Sequence, residues 1–254
     1  MSEAPESAAP ESAAQFRTDV TVELVRSSAS DADVLFAARV STLGEKSLES
    51  APLDRAPGEP SARDRGLINY LMRDRHGSPF EHNSMTFYVQ APIFVFREFM
   101  RHRIASYNEE SGRYRELRPV FYVPAEDRKL IQIGKPGAYE FLPGSDKQHA
   151  LVDETVREAS ERAYAAYRAM LAEGVAREVA RMVLPLNIYS SMYVTMNARA
   201  LMNFLSLRRH VEGAAFPSFP QREIEMCAEK METIWAGLMP LTHAAFIGHG
   251  RVAP

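Results

Sequence analysis

One cysteine, Cys227, occurs among the 254 residues. An intrachain disulfide is therefore excluded, and a reducing compartment suits the chain. Cys227 is also the only thiol that could act as a nucleophile. It lies in Glu223-Ile224-Glu225-Met226-Cys227-Ala228-Glu229-Lys230, a helical pattern whose acidic neighbours raise a thiol pKa rather than lower it, so packing is its expected role. Long apolar runs are missing as well: nothing approaches the roughly 20 residues of a membrane span. The first residues lack the charged and apolar regions of a signal peptide, and a cytoplasmic protein without membrane partners is expected. No glycine-rich loop has dinucleotide or phosphate-loop spacing. Nor is there an excess of one charge, since 30 Lys and Arg stand against 33 Asp and Glu for a net charge of -3. General attraction to nucleic acid is not built in, and any anion site must be local.

What is present is a core. Apolar residues make up 46% of the chain, enough for one large domain without covalent staples. Residues 1–17 repeat Ala-Pro-Glu-Ser-Ala with almost nothing large to bury, and a disordered tail is expected there; a single domain is expected over 18–250. Residues 19–25 alternate with period two and read as a strand. Ser30, with Asp33 three residues on, marks the start of a helix ending near Gly44. The Pro, Gly and Ser-rich connection 47–60 is expected to be a mobile loop. A helix over 67–76 and a polar turn, His76-Gly77-Ser78-Pro79-Phe80-Glu81-His82, precede a second strand on which Met85, Phe87 and Val89 alternate with Ser84, Thr86 and Tyr88. The histidines flanking that turn match no zinc spacing, and no metal site is expected. Pro92 fits the first turn of a helix continuing to Met100. Residues 121–143 read as an irregular excursion, 146–172 as a long helix, 175–182 as a short one stopped by Pro185, and 186–195 as a strand. A helix through Ile224, Met231, Ile234 and Trp235 follows, broken by Pro240. Strands and helices do not alternate regularly. The expected class is α+β: a small mixed or antiparallel sheet with several helices packed on it, not a doubly wound sheet.

Two stretches carry the chemistry. The first, Arg101-His102-Arg103-Ile104-Ala105-Ser106-Tyr107-Asn108-Glu109-Glu110-Ser111-Gly112-Arg113-Tyr114-Arg115, begins where the apolar run 92–100 ends. Guanidinium groups placed at the edge of a core usually have an anion to hold. The second runs from Asn197 to His210. On a helix Arg199, Asn203, Ser206 and His210 form one polar stripe, whereas Arg208 falls on the side of Leu201, Phe204 and Leu205. A guanidinium there costs heavily unless it finds a partner. Arginines with serine and backbone donors suit phosphates; asparagines suit the amide-like edge of a base or a flavin. No Ser-His-Asp arrangement is assignable. Such a site binds phosphorylated heterocycles and leaves the hard bond making to a cofactor.

Arg101-His102-Arg103, seven intervening residues and Ser111, with Asn108, Arg113 and Tyr114, resemble the long signature of the flavin-dependent thymidylate synthases. The turn from His76 to His82 looks like a second motif of that family, and Asn197 with Arg199, Asn203, Leu207 and Arg208 like a third. The resemblance spans about 20–245. It implies conversion of dUMP to dTMP, with methylenetetrahydrofolate as carbon donor, hydride delivered through FAD, NADPH as reductant, and a homotetramer whose active sites combine residues of different subunits. By the resemblance, Ser78, Glu81, Arg101, His102, Arg103, Ile104, Glu109, Asn197, Arg199 and Asn203 are expected at the flavin, with Ser41 beside them and His76 on the folate or flavin side. Glu98, Arg101, Glu109, Ser111, Gly112, Arg113, Arg181 and Arg208 are expected at dUMP, and Arg208 to act in catalysis. Glu98 stands where some relatives have glutamine. A rival reading makes 101–115 a binding module for RNA or single-stranded nucleic acid, with Tyr107 and Tyr114 as stacking platforms; the net charge argues against it. A structural helical assembly would explain the apolar helices but not Arg208 among them.

Overall fold

Met85, Phe87 and Val89 lie on one strand and are fully buried. The computed structural model describes residues 13–50, 61–135 and 138–254, which fall into two compact units. The elements in chain order are β1 (Gln15–Arg17), β2 (Thr21–Ser28), α1 (Asp31–Leu43), α2 (Ala62–Arg73), β3 (Ser84–Pro92), α3 (Ile93–Phe99), β4 (Ser106–Glu109), β5 (Val120–Tyr122), β6 (Ile131–Lys135), β7 (Ala138–Leu142), α4 (Asp146–Ala172), α5 (Arg177–Ala180), β8 (Tyr189–Met196), α6 (Ala198–Arg208), α7 (Arg222–Leu238) and α8 (Pro240–Gly248). Among the described residues no helix is long and apolar enough to cross a membrane.

The larger unit holds Asp19–Glu110 and Ser190–Pro254. Its sheet runs in the order β2-β3-β8-β4, with β2 antiparallel to β3 and β4 antiparallel to β8. The expected alternation on β3 is incomplete: Thr86 is buried too, because β3 is an inner strand. Its hydroxyl lies 2.9 Å from that of Thr195 on β8, so neither is stranded in the core. Ser30 caps α1 as expected, accepting from the Asp33 N–H. Helix α2 starts earlier than residue 67, because Ser61 and Asp64 exchange hydrogen bonds in a capping box; the polar run Ala62-Arg63-Asp64-Arg65-Gly66 hides that first turn from a search for apolar periodicity. Phe99 on α3 stacks on Phe204 of α6 at 4.9 Å, tying the start of the arginine-rich stretch to the helix that carries Arg208. Cys227 is fully buried, and burial rather than its acidic neighbours pushes the thiol pKa up.

The smaller unit holds the chain up to Thr18 and Ser111–Tyr189. Two expectations are corrected here. The tail does not extend to residue 17, since Gln15–Arg17 pairs in parallel with β5. Phe16 supplies the burial the Ala-Pro-Glu-Ser repeat lacks: its ring is 6.0 Å from Phe121, with the Arg157 guanidinium 4.5 Å from its centroid. Residues 1–12 lie outside the described residues. The excursion 121–143 contains an antiparallel hairpin, β6 with β7. The predicted helix 146–172 is α4, opened by a Ser145 and Gln148 capping box, while the one expected at 175–182 is α5 followed by a 3-10 turn, Arg181–Val183. Of the loop 47–60, residues 47–50 belong to a 3-10 turn, Gly44–Ser50, in which the buried Ser47 donates to the Gly44 carbonyl at 2.7 Å; residues 51–60 lie outside the described residues.

Candidate active site

Within the larger unit the expected residues collect in two places. The first is the turn at 76–82. Ser78–Glu81 is one turn of 3-10 helix, anchored by the buried Pro79 and Phe80, and α1, which carries Ser41, packs against it. Ser41 itself is exposed and donates to the Ala38 carbonyl at 2.9 Å. Arg199, in the first turn of α6, donates from Nη1 to Glu81 Oε1 at 2.5 Å and from Nε to the Pro254 carbonyl at 2.6 Å. Asn197 caps α6 by accepting from the Ala200 N–H at 2.8 Å, and Asn203 donates to the Arg199 carbonyl at 3.1 Å. Gly77 is needed for closeness, not for dihedral freedom. A Cβ there would stand 2.5 Å from Nε and 2.6 Å from Cζ of Arg199, and 2.8 Å from the Pro254 oxygen. His76 stacks on Tyr70, ring centroids 5.5 Å apart.

The second place is the end of α6. Arg208 lies on its apolar side, and its Nε is buried with no hydrogen-bond partner among the described residues. Its positive charge acts on Glu98, His102 and Tyr107. Burial pushes the Glu98 carboxyl above its ordinary value; the Arg208 cation opposes this and the Glu223 carboxylate adds to it. Burial likewise lowers the His102 pKa, a hydrogen bond with the Ala200 backbone working against the shift and Arg208 with it, so the imidazole is neutral near pH 7. His102 Nε2 is buried and has no hydrogen-bond partner among the described residues, while the ring meets Phe204 edge-on at 5.5 Å. Arg101, Arg103 and Ile104 around it are exposed. The triplet thus divides, with one member in the core edge and two outside it. Glu109 accepts from Ser190 Oγ at 2.8 Å.

The smaller unit gathers the remaining set. Ser111, Gly112 and Arg113 form a turn in which the Arg113 N–H points to Ser111 Oγ at 3.3 Å. A Cβ on Gly112 would come 3.3 Å from Cδ of Arg181 and 3.2 Å from Leu117, so the Arg181 stem lies over this turn. Glu178 of α5 accepts from Arg113 Nε at 2.9 Å, which orients the guanidinium and leaves its Nη pair for a bidentate anion.

A family model described as thymidylate synthase complementing protein matches residues 23–241. The flavin-dependent thymidylate synthase of Streptomyces coelicolor is 66% identical over 241 residues, covering 94% of this chain and 96% of that protein. The chain belongs to the flavin-dependent thymidylate synthases. The synthase of Tropheryma whipplei strain TW08/27 is 63% identical over 239 residues, 94% of this chain and 97% of that one. A crystal structure of the UMP/dUMP methylase PolB from Streptomyces cacaoi bound with 5-Br dUMP superimposes with a TM-score of 0.86 at 57% identity, covering 94% of this chain and all of that one.

In this synthase, sequence reasoning misplaced two side chains. Tyr107 was a stacking platform in the nucleic-acid reading. Its hydroxyl instead lies 2.7 Å from the Phe99 carbonyl and 2.6 Å from the His102 carbonyl, sharing one proton between two acceptors that end α3. The ring packs against the core, and burial pushes its pKa up to about 12. It braces the loop that carries the arginines, with its ring partly buried against the core. His210 leaves the polar stripe because α6 stops at Arg208 and Arg209 is extended (φ -133, ψ 124); its ring stacks on Phe219 at 5.3 Å.

Proposed function

We propose that the chain converts dUMP to dTMP, with methylenetetrahydrofolate as carbon donor, FAD as hydride carrier and NADPH as reductant, in a cytoplasmic homotetramer whose active sites combine residues of different chains. The observation that carries the reading is the Arg208 guanidinium, set on an apolar helix face with a buried Nε that has no hydrogen-bond partner among the described residues, its charge acting on Glu98 and His102. A guanidinium whose buried Nε has no hydrogen-bond partner among the described residues suits a ligand that brings developing negative charge. A uracil ring losing its N3 proton is such a ligand, and the enolate-like charge this favours makes C5 the better nucleophile. The phosphate falls to Ser111, Gly112, Arg113 and Arg181, with Arg101 and Glu109 shared between nucleotide and flavin.

The donor set also fits a flavin. His102 Nε2 is an orphaned buried atom, and Arg101 and Arg103 are exposed cations with no ion pair among the described residues. With Ser41, His76, Ser78, Glu81, Ile104, Asn197, Arg199 and Asn203 they would hold FAD, which supplies the hydride that no side chain here can. Purified protein is expected to be yellow, to bleach with NADPH and to form dTMP from dUMP and methylenetetrahydrofolate; a colourless protein that binds RNA and not FAD overturns the reading.

Two variants follow. Gly77→Ala forces the Arg199 guanidinium off Glu81, and the flavin-to-protein absorbance ratio is expected to fall; a parental ratio would remove this turn from the flavin site. Ser111→Ala is expected to keep measurable turnover. A serine nucleophile needs an adjacent base, and the contact made by Ser111 Oγ is with a backbone N–H. Complete loss of activity with dUMP still bound would count against this assignment.

A further inference from the structure

We propose that Glu232, acting through Arg209, is a positioning residue for the Arg208 guanidinium; the inference rests on the role given to Arg208 above. Arg208 is the last residue of α6, and helix ends fray unless their terminal groups are tied down. The next residue is tied at three points. Arg209 N–H donates to the Leu205 carbonyl at 3.1 Å, its carbonyl accepts from Ser218 Oγ at 2.9 Å, and its guanidinium meets Glu232 Oε2 at 2.5 Å. Arg208 is still helical, whereas Arg209 is extended (φ -133, ψ 124). The Arg209 side chain reaches Glu232 on α7, while the Arg208 charge acts on Glu98, His102 and Tyr107.

The anchor itself is held firmly. The Glu232 side chain is 3% exposed. Arg251 donates to both its oxygens, at 2.8 and 2.6 Å, and His243 Nε2 lies 2.9 Å from Oε1. Arg251 adopts a left-handed backbone (φ 61), which a residue with a side chain keeps only where its surroundings over-determine it. The end of α6 is thereby registered against α7, α8 and the segment after α8. Among the described residues Arg208 Nε has no hydrogen-bond partner that would hold the guanidinium in place, so a shift of the helix end carries the guanidinium with it.

A cluster serving stability alone would make the same contacts; the two roles separate by which arginine is removed. The test measures kcat and KM for dUMP, bound flavin and thermal midpoint in flavin-loaded enzyme. Arg209→Met is expected to lower kcat by about ten- to a hundredfold, the scale of a misplaced catalytic group, with dUMP KM and flavin content kept and Arg209→Lys restoring part of the loss. Arg251→Met, which leaves the Arg209–Glu232 ion pair in place, is expected to lower the midpoint while kcat falls far less than in Arg209→Met. Ser218→Ala, which frees the Arg209 carbonyl without touching the carboxylate, is expected to lower kcat with little change in midpoint, and serves if Arg209→Met does not fold. Parental kcat in Arg209→Met or in Ser218→Ala overturns the proposal, as does a kcat that falls in step with the midpoint across all the variants. A parent that does not methylate dUMP, or an Arg208→Ala variant as active as the parent, defeats the functional reading and takes this inference with it.

Discussion

Arg208→Ala is expected to lower kcat/KM for dUMP methylation by on the order of 10²–10³, about 2.7–4 kcal/mol of transition-state stabilisation, the scale for removing one aligned donor from developing charge. Bound flavin and the thermal midpoint are expected to hold, because the buried Nε has no protein hydrogen bond to lose among the described residues. The Glu98 carboxyl would also lose the cation that now opposes its upward shift, so the variant presents a more readily protonated acid where the parent presents a guanidinium beside a carboxyl. Arg208→Lys is expected to fall between parent and alanine, since an ammonium keeps the charge but not the planar fork. Single-turnover formation of dTMP, with flavin absorbance as the control, reads both variants. A parental rate in Arg208→Ala would remove Arg208 from the mechanism.

Glu232→Ala is expected to cost roughly 3–5 kcal/mol of stability, the usual penalty for removing one partner of a buried ionic cluster. It leaves Arg251, 7% exposed, without its carboxylate, and releases Arg209 and His243 with it. Denaturant titration measures the loss. A pH dependence accompanies it. Burial by itself would raise the Glu232 pKa, but hydrogen bonds from His243, Arg251 and Arg209 outweigh burial and hold it far below the usual carboxylate range. A depressed carboxylate contributes stability that is fully present above its unfolded value of about 4.3 and is lost as pH falls below it toward the folded value. The parent is therefore expected to lose stability more steeply below about pH 4 than Glu232→Gln, and equal acid slopes would show that the carboxylate's charge is not what binds the cluster.

Glu232 shows why part of the site was not legible. Its partners, Arg209, His243 and Arg251, lie 23, 11 and 19 residues away in the chain. No local pattern marks Glu232 among the acidic residues of α7, whose helical spacing was read and whose ionic role was not. The strand Gln15–Arg17 was missed for a similar reason: only Phe16 gives it anything to bury, and its partner strand begins at Val120. β4 was hidden because Ser106-Tyr107-Asn108-Glu109 carries a single apolar ring, too little to show alternation in the sequence, and its existence depends on pairing with β8.

By itself the sequence determined the helices with caps and periodicity, such as the one opened by Ser30 and the long one over 146–172, the α+β class, and the family through three ordered motifs. These signals are local, written in residues three or four apart or in one contiguous turn. Only the tertiary structure decided which member of the Arg-His-Arg triplet is buried, that Tyr107 braces the loop through its hydroxyl, and that the Arg208 charge acts on Glu98 and His102 while Arg209 turns to Glu232. Those outcomes depend on where each helix ends and on what the fold packs against that end. Burial and charge pairing at such points are properties of residues far apart in the chain.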